Sequence, residues 1–251
     1  MSLKFSEKGH HYTLDGRPVP GVTTLISKGL PKPAIPYWAA KSVAEYVLDH
    51  PEGVEALRTM GRNSAVAALK QVPWTKRDEA AVRGTAVHEL AERIAHGEEV
   101  DVPDHLIDPV QGYVRWLDEW QPEVIWTERP VGNRQWWYAG TPDIVCRIDG
   151  QVWLLDWKSS RGVFGEYGIQ IASYGHAEFF VDDEGNEQPM PVIERYGVVH
   201  IEPNESTLYE LTEPEAAWKD FLHIAWTANA VDRIKGYLGE PVQHPADEVA
   251  S

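Results

Sequence analysis

Two hydrophobic rhythms divide the chain. Over the first 120 residues apolar side chains recur every three to four positions, like the buried stripe of a helix. From 123 to 158 they come in short runs rich in Val, Ile, Trp and Tyr, like strands. The helical rhythm predicts helices over about 38–49, 52–60, 62–71 and 75–96, the last ending at Gly97, and another over 105–119. Strands are expected at 123–130, 136–148 and 151–158, with Asp149-Gly150 as a hairpin turn between the last two. A helix at 165–180, strands at 192–201 and 206–211, and a final helix over 214–238 complete the series. Ahead of all this, residues 10–19 read as a hairpin turning at Asp15-Gly16. Thr23 or Thr24 is expected to cap a short helix ending near Gly29, with Pro31, Pro33 and Pro36 blocking its continuation. The order implies an α/β fold with a mixed sheet flanked by helices. Residues 1–100 form a largely helical cover, and residues 101–251 hold the core sheet.

The run Val152-Trp153-Leu154-Leu155 is apolar on both faces, as in a strand buried within a sheet, and it leads into Asp156-Trp157-Lys158. Residues two apart on a strand share a side, so Asp156 and Lys158 face one site and Trp157 points away. Charges at the end of a buried strand are costly unless paired or ligated; an ordinary Asp–Lys ion pair would satisfy that need as well. Pairing across the Asp149-Gly150 turn brings Asp143 to the same sheet end as Asp156. Two adjacent carboxylates repel unless a cation lies between them, and Mg²⁺ or Mn²⁺ prefers such oxygen ligands. Asp143 would equally serve as a turn residue after Pro142. His88, on the 75–96 helix, and Gln170 and Tyr174, four apart on one helix face, read individually as ordinary structural residues. The same holds for His10, His11, His176 and His200, which lack zinc-ligand spacing. Trp136-Trp137-Tyr138 is a candidate base-stacking cluster.

Taken together, Gly84-Thr85-x-x-His88, Gly140-x-x-Asp143, Asp156-x-Lys158 and Gln170-x-x-x-Tyr174 resemble, in order and separation, the RecB-type branch of the PD-(D/E)XK nuclease superfamily. The resemblance covers about residues 80–200, and Glu128 matches an acid often found in the preceding strand. The opening segment, with Tyr12 and Pro20-Gly21-Val22-Thr23-Thr24, is similar to the start of phage-encoded exonucleases of this group. The resemblance implies a restriction-endonuclease-like core and a metal-dependent DNA exonuclease acting in recombination, replication or repair. His88, Asp143, Asp156 and the Trp157 backbone carbonyl would ligate Mg²⁺ or Mn²⁺. Lys158 would orient the attacking water, and Gln170 and Tyr174 would position the phosphate. DNA is the implied partner, with a recombinase, helicase or single-strand-binding protein as further candidates. The cellular setting would be the cytoplasm of a phage-infected bacterium. A catalytically silent DNA-binding scaffold and a restriction-like endonuclease are the alternatives.

Composition changes this picture in three places. Relatives of this branch that carry an iron–sulfur cluster hold it with four cysteines; Cys146 is the only cysteine here, so no such cluster is expected. No run of 18 apolar residues occurs and the N-terminus lacks a signal-peptide pattern, so an intracellular protein with no membrane partner is expected. The net charge of −16 opposes simple phosphate binding. Its distribution softens that objection: residues 1–100 hold 13 basic against 12 acidic side chains, residues 101–251 hold 10 against 27.

Overall fold

The computed structural model describes residues 2–6, 9, 11–95, 97–202 and 205–241, except for the side chains of Glu79, Ala80, Ala81, Arg83, His88 and Ala95. Three short antiparallel strands open the chain: β1 (Leu3–Ser6), β2 (His11–Leu14) and β3 (Arg17–Val19). Asp15 and Gly16 take φ of 52° and 77° between the last two, the left-handed pair that a tight hairpin requires. Helix α1 (Val22–Gly29) buries Val22, Leu25 and Ile26, one turn-spaced stripe. Its N-cap is Gly21, with no side-chain cap; Thr23 and Thr24 lie inside the helix instead of capping it.

Helices α2 (Ala34–Asp49), α3 (Pro51–Thr59) and α4 (Arg62–Ala95) follow. As expected, α1 stops at Gly29, ahead of Pro31, Pro33 and Pro36. Pro36 falls in the first turn of α2, where the missing N–H has no helical partner to lose, so the next helix begins at Ala34, earlier than the expected 38. The two helices expected over 62–71 and 75–96 are one: α4 runs for 34 residues, through Pro73. A single 3₁₀ turn (Asp104–Leu106) leads into α5 (Ile107–Trp120).

The strand region holds β4 (Glu123–Thr127), β5 (Val131–Asn133), β6 (Tyr138–Gly140), β7 (Ile144–Ile148) and β8 (Gln151–Lys158). Then come α6 (Gly165–Gly175), β9 (Phe179–Val181), β10 (Glu187–Pro189), β11 (Arg195–Glu202), β12 (Glu205–Glu210) and α7 (Pro214–Arg233). The expected strand 136–148 is two strands in different sheets, because Pro142 offers no ladder donor and the chain turns at Thr141–Asp143. The expected helix to 180 stops at Gly175, where a Cβ would come 2.2 Å from the Tyr196 ring.

The central sheet runs β12-β11-β8-β7-β4. Only β8 and β11 are parallel and the other neighbours are antiparallel, so the sheet is mixed. A second sheet, β10-β9-β5-β6, is antiparallel throughout. Alternation along β7, β8 and β11 feeds two cores. Val145, Leu154 and Val198 pack with α1, α6 and α7 on one face through Ile26, Ile171 and Phe221. Ile144, Leu155, Trp157 and Val199 pack on the other against Val87 of α4 and Tyr113 and Trp116 of α5. Both faces of the sheet are therefore covered, which is why its central strands read as continuous apolar runs. Among the described residues, no helix is long and apolar enough to cross a membrane.

Candidate active site

The register of the central sheet gathers acids at one edge. Ile144 pairs with Leu155 across the β7–β8 hairpin, so one step further Asp143 stands opposite Asp156. Thr127 pairs with Ile144, and the next residue, Glu128, donates its backbone N–H to the Asp143 carbonyl at 3.1 Å. Lys158, two residues beyond Asp156, pairs in register with His200. Three adjacent strand ends thus carry Glu128, Asp143 and Asp156 in a row, with Lys158 at its end. The turn that brings Glu128 there has φ of 48°, left-handed for a residue with a Cβ.

Asp143 and Asp156 are both buried. One oxygen of Asp143, Oδ2, accepts the Trp157 backbone N–H at 2.5 Å. The Trp157 ring points to the opposite face and meets Tyr113 and Trp116 edge-on, with centroids 4.9 and 5.1 Å away. So it is the backbone of Trp157, not its side chain, that reaches the acids. Asp156 forms an ion pair through Oδ2 with Lys158 and accepts a hydrogen bond through Oδ1 from Gln170 Nε2 at 3.1 Å. The same amide nitrogen of Gln170 donates to the Tyr174 hydroxyl at 3.0 Å. Gln170 and Tyr174 share a face of α6, as their four-residue spacing predicts, and that face meets the acids. Tyr174 fits only because residue 140 is glycine: a Cβ there would lie 2.3 Å from Tyr174 Cε1.

A cleft of about 640 Å³ opens over this row. Besides Asp143, Asp156, Lys158, Gln170 and Tyr174, its walls include Glu128, Thr85, Glu89 and Glu92. Phe5 and Tyr12 of the N-terminal hairpin line it as well, and Tyr12 shares a hydrogen bond of 2.9 Å with the Thr141 hydroxyl. His88 lies on α4 between these wall residues in sequence; its side chain is outside the described residues. Among the lining residues not anticipated as site members are Phe5, Tyr12, Glu89 and Glu92. For the glutamates the signal was present: Thr85, Glu89 and Glu92 are spaced by four and three, one helical face, while Val87, Leu90 and Ala91 form the buried one. Of the suspected stacking cluster, Tyr138 is buried with its hydroxyl donating to the Ser173 carbonyl. Trp137 donates through Nε1 to the Pro18 carbonyl, and Trp136 packs edge-on against Trp218.

The electrostatics are lopsided. Five of the cleft's lining residues are acidic and one, Lys158, is basic. Burial holds Asp143 well above the usual carboxylate range; Asp156 and Glu92 add to the effect, and Lys158 and the Trp157 N–H oppose it. Glu128 is reachable by solvent yet is also pushed upward, first by lost hydration and then by Asp143, Glu92 and Asp156. Burial pulls on Lys158 in the other direction, but Asp156 and Asp143 outweigh it and leave the ammonium raised. Tyr174 stays a neutral phenol, held well up by burial and by Asp156. Among the described residues no three His, Cys, Asp or Glu side chains converge as a closed ligand set. Chemically, though, an all-oxygen donor set rich in carboxylates suits a hard divalent cation such as Mg²⁺ or Mn²⁺, which would offset the repulsion among these acids.

No protein-family model matches the chain, and no curated protein matches it. Among solved structures, the protein in "Crystal structure of SSO0001" is similar to this chain at 14% identity, covering 78% of this chain and 84% of that one with a TM-score of 0.34.

Proposed function

We propose that this protein is a metal-dependent deoxyribonuclease with a PD-(D/E)XK core, an exonuclease that hydrolyses DNA phosphodiester bonds in recombination, replication or repair. The observation that carries the reading is the convergence of Asp143, Asp156 and Lys158 from adjacent strand ends beneath an acidic cleft. Asp143 and Asp156 would hold Mg²⁺ or Mn²⁺, aided by Glu128 and, by resemblance, by His88 and the Trp157 carbonyl. The ion would supply positive charge that makes water acidic and phosphate electrophilic.

The chain's own residues do the rest. Lys158 is kept protonated by its two acids, so it can hold an attacking water by hydrogen bonding and stabilise charge on phosphate oxygens. Gln170 fixes the rotamer of Asp156 while its amide ties Tyr174 to the same network. Tyr174, neutral and buried, is a donor for a phosphate oxygen rather than a base. The acidity of the cleft repels bare DNA, so binding of the scissile phosphate and of the cation should be mutually dependent.

End-labelled linear DNA and covalently closed circles, incubated with Mg²⁺ or Mn²⁺, test the reading. Linear DNA should disappear while circles persist, and Asp156→Ala and Lys158→Ala should each lower cleavage by roughly 10²–10³. Protein that binds DNA and never cuts it would be a silent scaffold. Discrete fragments from closed circles would indicate a restriction-like endonuclease.

A further inference from the structure

The segment joining β8 to α6, Ser159-Ser160-Arg161-Gly162-Val163-Phe164, leaves the cleft directly after Lys158. It is anchored from below at several points. Buried His200 donates from Nε2 to the Ser160 carbonyl at 2.7 Å. The Ser160 hydroxyl accepts from the Tyr167 hydroxyl at 2.9 Å and donates to the Gly162 carbonyl at 2.8 Å. The Phe164 carbonyl accepts the Tyr167 backbone N–H at 3.0 Å. A segment bonded this firmly would be expected to turn its apolar side chains inward, yet Val163 is 38% and Phe164 52% exposed. Arg161, the only charged residue of the six, is exposed beside them.

The exposed ring is also connected to the chemistry. Lys158 Nζ lies 5.1 Å from the centre of the Tyr167 ring, and the Phe164 ring meets Tyr167 edge-on at 5.7 Å between centres. Lys158, Tyr167 and Phe164 form a stair from the acidic row to the surface. Beside that contact Phe164 still keeps 52% of its surface open to solvent, apolar area that a partner could cover.

We propose that Phe164 is a stacking platform for an unpaired nucleobase of a single strand whose phosphate lies at Lys158, with Arg161 as its phosphate contact. This rests on the phosphodiesterase reading of the cleft. A base flat on Phe164 covers the exposed apolar face, and stacking tolerates any base because each has a π-face. The rigid mounting keeps the ordering cost low. Because a paired base is already stacked in its duplex, the platform selects single-stranded over fully paired ends.

The test reads binding apart from cleavage. Single-stranded oligonucleotides carrying 2-aminopurine at the first, second or third nucleotide from either end are titrated with the whole protein in Ca²⁺. Wild type should quench the fluorophore at one of these positions. Phe164→Ala should abolish the quench and weaken single-strand binding about tenfold, with blunt duplex binding unchanged. Phe164→Leu, apolar but without a π-face, should behave like the alanine variant, and Phe164→Trp should restore both signals. Wild-type quenching and affinity in Phe164→Ala or Phe164→Leu would overturn the platform, as would absence of any quench in wild type. If wild type cuts DNA in Mg²⁺ while the Phe164 variants bind normally, the platform fails and the hydrolase reading stands. Quenching that depends on Phe164 without cleavage in Mg²⁺ or Mn²⁺ would leave the platform and remove the hydrolase.

Discussion

Gly140→Ala is a one-methyl perturbation whose effect can be worked through from the site. The new Cβ would stand 2.3 Å from Tyr174 Cε1 and 2.9 Å from Cδ1. Carbon atoms pack best at about 3.5–4.0 Å, so the closest approach is more than about 1 Å too short. Neither partner has room to yield: Gly140 ends β6, paired with β5, and Tyr174 is fully packed within one of the two main cores. The ring must tilt, and its hydroxyl then leaves Gln170 Nε2, now 3.0 Å away, which in turn releases Asp156. Overpacking of this kind costs about 1–3 kcal/mol, equivalent to a fall of roughly 2–10 °C in Tm for a chain of this size. A displacement near 1 Å of a positioning group lowers catalysis by about 10²-fold. Differential scanning calorimetry and initial rates on linear DNA should show both losses, with Mn²⁺ affinity held within a few-fold. Gly140→Ala combined with Tyr174→Leu should recover much of the Tm but not the rate. A single variant with wild-type Tm and wild-type rate would refute the reasoning.

Two further outcomes are expected. Glu128 titrates higher in the folded protein than in the unfolded chain, so above its unfolded value near 4.5 the unfolded chain ionises first and stability is lost as pH rises towards the folded value. Urea melts in EDTA between pH 5 and 8 should therefore show a steeper loss for wild type than for Glu128→Gln, with Mn²⁺ flattening the wild-type slope; equal slopes would contradict this origin. Gln170→Ala removes the amide joining Asp156 to Tyr174 and should lower cleavage about 10- to 100-fold while calorimetric Mn²⁺ affinity changes little. A large loss of Mn²⁺ affinity would mean that Gln170 shapes the cation site itself.

The sequence was most legible where one strong local signal decided the outcome. Strand β8 matches its expected bounds because an apolar run is framed by a Gly turn and a charged end, and the Asp15-Gly16 and Asp149-Gly150 turns follow from two left-handed residues each. It was least legible where tertiary pairing decides. Strands β5, β9 and β10 have three residues apiece, too few for any period, and exist because each finds a neighbour. The two helices expected over 62–71 and 75–96 are one, α4, which continues through Pro73 although a proline removes a helical hydrogen bond. At the site, residues two apart on β8 and four apart on α6 could be placed on shared faces from spacing alone. The spacing of Thr85, Glu89 and Glu92 marks one face of α4 but not what that face meets, and Phe5 and Tyr12 reach the cleft through the docking of the N-terminal hairpin, which no local pattern encodes.

The β7–β8 hairpin acts as a caliper. Asp149 and Gly150, at φ of 49° and 79°, close it in two residues and thereby fix which residue of β7 faces which of β8. The jaws are the two aspartates, at the far end of strands five and eight residues long. Since side chains alternate faces, a slip of one position would turn one jaw into the aromatic core around Trp116 while the other stayed at the cleft. An inserted or deleted residue in that turn, at the opposite end of the strands from the cleft, would therefore disturb the acid pair as directly as a change to one of the acids.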